Sequence, residues 1–163
     1  MKRVFALLCF FSVHAYAADQ LPASNTGMRF LGTSYAAYSG NTKTWEIHAK
    51  HIEGDQQKAK ATEIQGSLYQ KGATRYTLKS DLAYINLVTN DIYFPKGVVF
   101  KGKPGEEIQV HVLMWKSKEK KFIGTKGVSV IRWNTRLRGD RMIFDPSLND
   151  LKLEGHIRAL VNP

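Results

Sequence analysis

Leu137-Arg138-Gly139-Asp140-Arg141-Met142-Ile143-Phe144-Asp145 and Leu151-Lys152-Leu153-Glu154-Gly155-His156-Ile157-Arg158-Ala159 decide how the chain is read. In the second stretch Leu151, Leu153, Ile157 and Ala159 fall on one parity, and Lys152, Glu154, His156 and Arg158 on the other. That is the period-two pattern of a strand with one dry and one wet face. Asp145-Pro146-Ser147-Leu148-Asn149-Asp150 between the two stretches is rich in turn formers. The pattern predicts an antiparallel hairpin.

The same alternation runs upstream. In 44–51, Trp45, Ile47 and Ala49 alternate with Glu46, His48 and Lys50. The segment 58–70 has helix-like spacing at Ala61, Ile64 and Leu68, but Gly66 and the β-formers Thr62, Ile64 and Tyr69 favour a strand. Further strands are expected at 76–80, 81–88, 92–94, 98–100, 108–115, 122–123 and 127–133. Pro95-Lys96-Gly97 marks a break, since proline cannot donate to a ladder. At Ile131 the alternation of Val128 and Val130 slips by one, which predicts a bulge there. The Ser/Thr/Asn/Gly-rich 18–40 segment reads as a flexible lead-in. Eight or more short strands without an amphipathic helix indicate an all-β sandwich, jelly roll or barrel, as one domain over 41–163.

The first residues read as an export signal over 1–17. Lys2-Arg3 precedes an apolar run from Val4 to Val13, and Ala15-Tyr16-Ala17 is a small-x-small cleavage site. The run is shorter than the roughly 20 residues of a spanning helix; an uncleaved anchor is the alternative. Cys9, the one cysteine, lies in this run, so the mature chain is expected to hold no disulfide or thiolate site. A formal charge of +10 favours anionic partners. With no recognition helix or nucleic-acid motif, nucleic acid is not expected, and a phosphorylated lipid or anionic surface fits an exported chain better.

Chemistry-bearing patterns are sparse. His48 and His51 have an H-x-x-H spacing, but residues three apart on a strand should face opposite ways, so no metal is expected. Asp81, Asp91, Glu106, Glu107, Asp140 and Asp145 supply carboxylates for a glycosidase, yet most sit in or beside turns. Ser129 lacks a nucleophile elbow. No catalytic residue, cofactor or enzymatic activity is predicted. Leu78, Ile85, Ile108, Val110, Val128, Val130, Leu151, Leu153 and Ile157 share the apolar parity of their strands. They suit either a closed core, as in a β-sandwich that binds glycan or scaffolds an envelope complex, or a dry groove in which each buried methylene contributes about 0.8 kcal/mol.

Tyr76-Thr77-Leu78-Lys79-Ser80-Asp81-Leu82-Ala83, then 91–99, then 108–115 with Lys121-Phe122-Ile123-Gly124-Thr125, then the two C-terminal stretches, resemble in order and spacing the periplasmic lipopolysaccharide-export family, component C type. The resemblance runs from about Trp45 to the C-terminus. It implies a twisted, slightly open β-jelly roll of two antiparallel sheets that holds lipid A acyl chains between them. It further implies receipt of lipopolysaccharide from an inner-membrane ABC transporter and transfer to a neighbouring periplasmic jelly-roll bridge protein. Leu113 and Trp115 join the groove residues on this resemblance, through an irregularity near Met114 that switches faces. Lys96, Lys101, Lys103, Arg136 and Arg138 are implied as a rim for phosphates. Leu151, Lys152, Leu153, Glu154, His156 and Arg158 are implied as a partner-binding edge. The short N-terminal apolar run departs from the membrane anchor usual in component C, as Gly139-Asp140-Arg141-Met142 departs from a second family glycine.

Overall fold

The computed structural model describes residues 27–31 and 33–161; the expected signal, 1–17, lies outside them. Thirteen strands follow in order: β1 (Gly27–Leu31), β2 (Ser34–Ser39), β3 (Thr42–Gly54), β4 (Lys58–Gln70), β5 (Ala73–Asn86), β6 (Ile92–Phe94), β7 (Val98–Lys101), β8 (Glu106–Lys116), β9 (Lys121–Arg132), β10 (Thr135–Gly139), β11 (Arg141–Phe144), β12 (Leu151–Glu154) and β13 (Arg158–Val161). All are joined antiparallel in one sheet, sequential from β1 to β6 and with the non-consecutive pairs β5–β7, β6–β8, β9–β11 and β10–β13. The short strands act as pairs in tandem: β6 and β7 both lie between β5 and β8, and β10 and β11 both lie against β9. The lead-in expected over 18–40 gives way to strand from Gly27, and Tyr35, Ala36 and Ala37 are buried. They pair with Ile47, Glu46 and Trp45 of β3, a placement that the composition of the segment does not reveal.

A line of irregularities crosses the sheet from strand to strand. It runs through Glu63 at φ 52° in β4, the Pro95-Lys96-Gly97 break, and His111 of β8 opposite Lys126 and Gly127 of β9, which have φ of 61° and 101°. It ends at Asp140 and at Gly155, whose φ is 75°. The buried parity changes as strands cross the line: in β5 from Tyr76, Leu78 and Ser80 to Ala83 and Ile85, and in β8 from Ile108 and Val110 to Leu113 and Trp115. In β9 an inserted residue sets Lys126 and Gly127 opposite the single His111, whereas across β3, β4 and β5 the register at the line stays one-to-one and the change of parity coincides with the positive φ of Glu63; the same face of the sheet stays dry on both sides of the crease. The bulge therefore lies at Lys126-Gly127, not at Ile131, which keeps regular pairing with Glu107 and Arg136. Likewise the face switch in β8 sits at His111 and Val112 rather than near Met114. The crease also separates His48 from His51, so both are exposed on the outer side, bound to Ser34 and Glu46 and to Glu63 respectively.

The crease folds the sheet into two leaves that face each other, and this replaces the two separate sheets of a simple sandwich. The front leaf holds 42–50, 64–70, 73–80, 106–110 and 128–132 with β7, β10 and β13. The back leaf holds 51–54, 58–62, 82–86, 112–116 and 121–125 with β6, β11 and β12. Aromatic rings join them. Trp45 of the front leaf meets Trp115 and Phe122 of the back leaf at 4.9 and 5.3 Å, and Phe100 meets Phe144 at 5.6 Å. Offset or edge contacts at these distances add to the burial itself. Gln70, at the end of β4, donates to Ser147 O at 3.1 Å and to Asn149 Oδ1 at 3.0 Å, tying the front leaf to the β11–β12 turn.

Phe122 touches Trp45, Phe100, Trp115 and Phe144 and is fully buried. Phe122→Ala is expected to cost about 3–5 kcal/mol in chemical denaturation, whereas Val88→Ala, at a residue 71% exposed in a turn, should stay within about 0.5 kcal/mol.

Candidate functional site: the mouth of the wedge

One cross-strand row shows how the space between the leaves changes. Tyr35, Ile47, Gly66, Leu78, Phe100, Ile108, Val130, Leu137 and Ala159 are successive register partners from β2 to β13. Directly paired residues share a face, so the row traces the inner surface of the front leaf. It is sealed through Phe100 and Ile108, half-buried at Val130 and Leu137, and exposed at Ala159. The leaves thus form a wedge, closed where Trp45 meets Trp115 and open towards β10 and β13.

A cavity of about 620 Å³ occupies the open side. Ile108, Val130 and Leu137 line it from the front leaf, and Leu148 and Leu151 reach it from the β11–β12 turn. The turn is pinned by Asp145, whose carboxylate accepts from the Asp150 backbone and the Ser147 hydroxyl. Leu148 takes φ 57° there and packs against the core. The floor is apolar and the entrance is charged. Arg75 Nη1 donates to Glu106 Oε2 at 2.6 Å, and Arg132 Nε stands 3.6 Å from Oε1. The Glu106 side chain is only 7% exposed, and Arg75 beside it holds its carboxyl below the usual carboxylate range, against the upward pull of burial. Arg75 stacks on Tyr76, and Trp133, 72% exposed, projects next to Arg132. An apolar slot with two guanidinium groups at its lip accommodates an amphiphile with an anionic head.

The sequence-derived groove residues are distributed along the wedge. Ile108, Val130 and Leu151 line the mouth; Val110 and Val128 lie deeper, buried. Leu153 packs over Gly139, where a Cβ would come within 2.7 Å of it. Leu78, Ile85, Leu113 and Trp115 are sealed in the core, and Ile157 is 56% exposed in the break between β12 and β13. Of the basic rim residues, Lys103 is in the β7–β8 turn near the mouth, and Lys96 is at the crease. Lys101, Arg136 and Arg138 are exposed in β7 and β10, on the parity opposite Phe100 and Leu137. Among the described residues the expected partner edge is a free edge: β12 pairs only with β11, and β13 only with β10. Glu154 there is held by Arg141 and Lys152, and His156 by Asp140 at 2.7 Å.

Arg75, Arg132, Trp133, Leu137 and Leu148 are not among the site residues expected from the sequence, and Glu106 is there only among the carboxylates weighed for a glycosidase. Leu148 carried a signal, as an apolar residue inside an otherwise polar turn. Leu137 carried another, as the partner of Val130 once β9 and β10 pair.

Among curated proteins no sequence matches the chain. Among solved structures the wedge is similar to LptH of Pseudomonas aeruginosa, described as the LptA homologous periplasmic component of the conserved lipopolysaccharide transport device. The TM-score is 0.52 and the identity 11%, over 73% of this chain and 95% of that one, so the likeness is one of jelly-roll fold. Family membership rests on the sequence: the model for lipopolysaccharide-assembly, LptC-related proteins matches residues 19–162. The chain belongs to that lipopolysaccharide-assembly, LptC-related family.

Proposed function

We propose that this protein is a non-catalytic periplasmic carrier of lipopolysaccharide that receives its cargo from an inner-membrane ABC transporter and hands it to a neighbouring jelly-roll protein. The observation that carries this reading is the graded inner row, dry at Phe100 and open at Leu137 and Ala159. Acyl chains entering beside Leu137, Leu148 and Leu151 extend an existing apolar core, gaining about 0.8 kcal/mol per buried methylene. Glycan and phosphate stay outside, where Arg75, Arg132 and Lys103 stand. Trp133 offers a flat ring at the same lip.

The handover surface in this proposal is the free edge of β12 and β13. A strand from the partner adds its backbone ladder there and makes the two grooves continuous. Lys152, Glu154 and Arg158 blunt the edge against indiscriminate pairing.

Two results test these assignments. A benzophenone side chain at Leu137 or Leu151 is expected to trap lipopolysaccharide on irradiation in cells, while the same group at Gln109, exposed on the parity opposite Ile108, should not; equal labelling at both would rule out the groove. Removal of 158–163 should abolish capture of the outward partner yet leave labelling from Leu151, as judged by affinity purification after irradiation. Undiminished partner capture would remove the edge assignment.

A further inference from the structure

The outer surfaces of the two leaves differ in kind. On the front leaf the outward row His48, Gln65, Lys79, Val99, Gln109 and Ser129 is mostly polar, as a wet sheet face should be. On the back leaf the corresponding row is Tyr84, Tyr93, Met114, Ile123 and Ile143, paired in unbroken register across β5, β6, β8, β9 and β11. These alternate with the buried Ile85, Ile92, Leu113, Phe122 and Phe144, so they point away from the wedge. Tyr84 and Tyr93 are 47% and 37% exposed. An apolar row five strands wide is a recognition surface rather than scattered exposure.

Its border carries a small excess of cations, Lys58, Lys60, Lys116 and Lys152 beside Glu53, Asp91 and Glu154. Lys60 precedes the row at Tyr84, and Lys152 follows it at Ile143. Lys58 and Lys116 line a concavity of about 380 Å³ with Tyr84, Tyr93 and Met114. Glu53 and Asp91 engage Lys60 and Lys116, at 2.7 and 2.9 Å, and Lys118, Lys120 and Lys121 crowd the adjacent β8–β9 hairpin tip. Val88, 71% exposed, projects from the turn at the same end of the leaf. Tyrosines beside aliphatic groups, ringed by lysines with apolar stems, match the boundary between lipid headgroups and acyl chains. A neutral or acidic protein surface would not require this combination; an anionic lipid layer complements both the charge and the apolar row.

We propose that the outer face of the back leaf lies on an anionic phospholipid surface, which orients the wedge mouth relative to the membrane independently of cargo in the groove. The test uses the full chain with vesicles of phosphatidylglycerol and phosphatidylethanolamine, against vesicles of phosphatidylcholine. A benzophenone side chain at Tyr93 should form phospholipid adducts on the anionic vesicles, and one at Thr77, on the outer front leaf, should not. Tyr84→Ser with Tyr93→Ser should weaken flotation with anionic vesicles by about tenfold, while trapping of lipopolysaccharide from Leu137 persists and reports an intact wedge. Should that pair fail to fold, Lys58→Gln with Lys60→Gln is expected to weaken flotation in the same direction. The proposal is overturned by absence of lipid adducts at Tyr93, by equal adducts at Thr77, or by full flotation of the foldable variant. Tyr93 adducts to a second copy of the chain or to another protein, in place of lipid, would assign the face to a protein partner and overturn it as well.

Discussion

The crease is the constraint on which the rest depends. A sheet of long antiparallel strands twists but does not of itself fold face to face. Here the fold is imposed residue by residue, by Glu63, Lys126 and Gly155 at positive φ and by the break at Pro95-Lys96-Gly97. At Gly155 the requirement is doubled, because its φ is 75° and a Cβ there would run into the Asp140 carboxylate. That carboxylate also accepts from the His156 backbone at 3.2 Å, so the break in β10–β11 and the break in β12–β13 are joined to each other. Because the parity resets at the same line, Trp45 and Trp115 both arrive inside although they belong to different leaves.

From that geometry a closed side and an open side follow. The aromatic cluster of Trp45, Trp115, Phe122, Phe100 and Phe144 fills one end with buried, mutually contacting rings. Towards β10 and β13 Val130 and Leu137 are half-buried and Ala159 is exposed. Glu106 stands at this transition. Placing a carboxylate at 7% exposure is unfavourable unless cations attend it, and Arg75 and Arg132 do so. The loosely held Arg132, 3.6 Å away and 60% exposed, is the more accessible of the two cations, Arg75 being 20% exposed.

Much of this was legible in the chain. Alternation located most of the strands between 44 and 161, and 58–70 and 92–94 came out with the bounds of β4 and β6. The C-terminal hairpin was legible because Leu151 and Leu153 keep strict parity around a turn of strong formers. What escaped was everything that depends on a parity reset. A positive φ at Glu63 or Lys126 leaves no compositional mark, so the bulge was assigned to Ile131, where a mere outward-facing isoleucine imitates a slip. For the same reason His48 and His51 were expected on opposite faces. The mouth residues escaped for another reason: Arg75, Arg132 and Leu148 come from three separate turns and strand ends, and only the creased sheet brings them together.

The function proposed above implies that acyl chains entering beside Leu137, Leu148 and Leu151 part the open side of the wedge while its aromatic side stays fixed. It is tested most directly by electron-electron distance measurements on spin labels, with Cys9 replaced, at Arg136 and Asp150, next to the cavity-lining Thr135 and Leu151 on either side of the mouth, and at Lys43 and Lys121 across the closed side. The account predicts that lipopolysaccharide lengthens the first distance and leaves the second unchanged. An unchanged first distance in the lipid-loaded protein, or a lengthened second one, would contradict it.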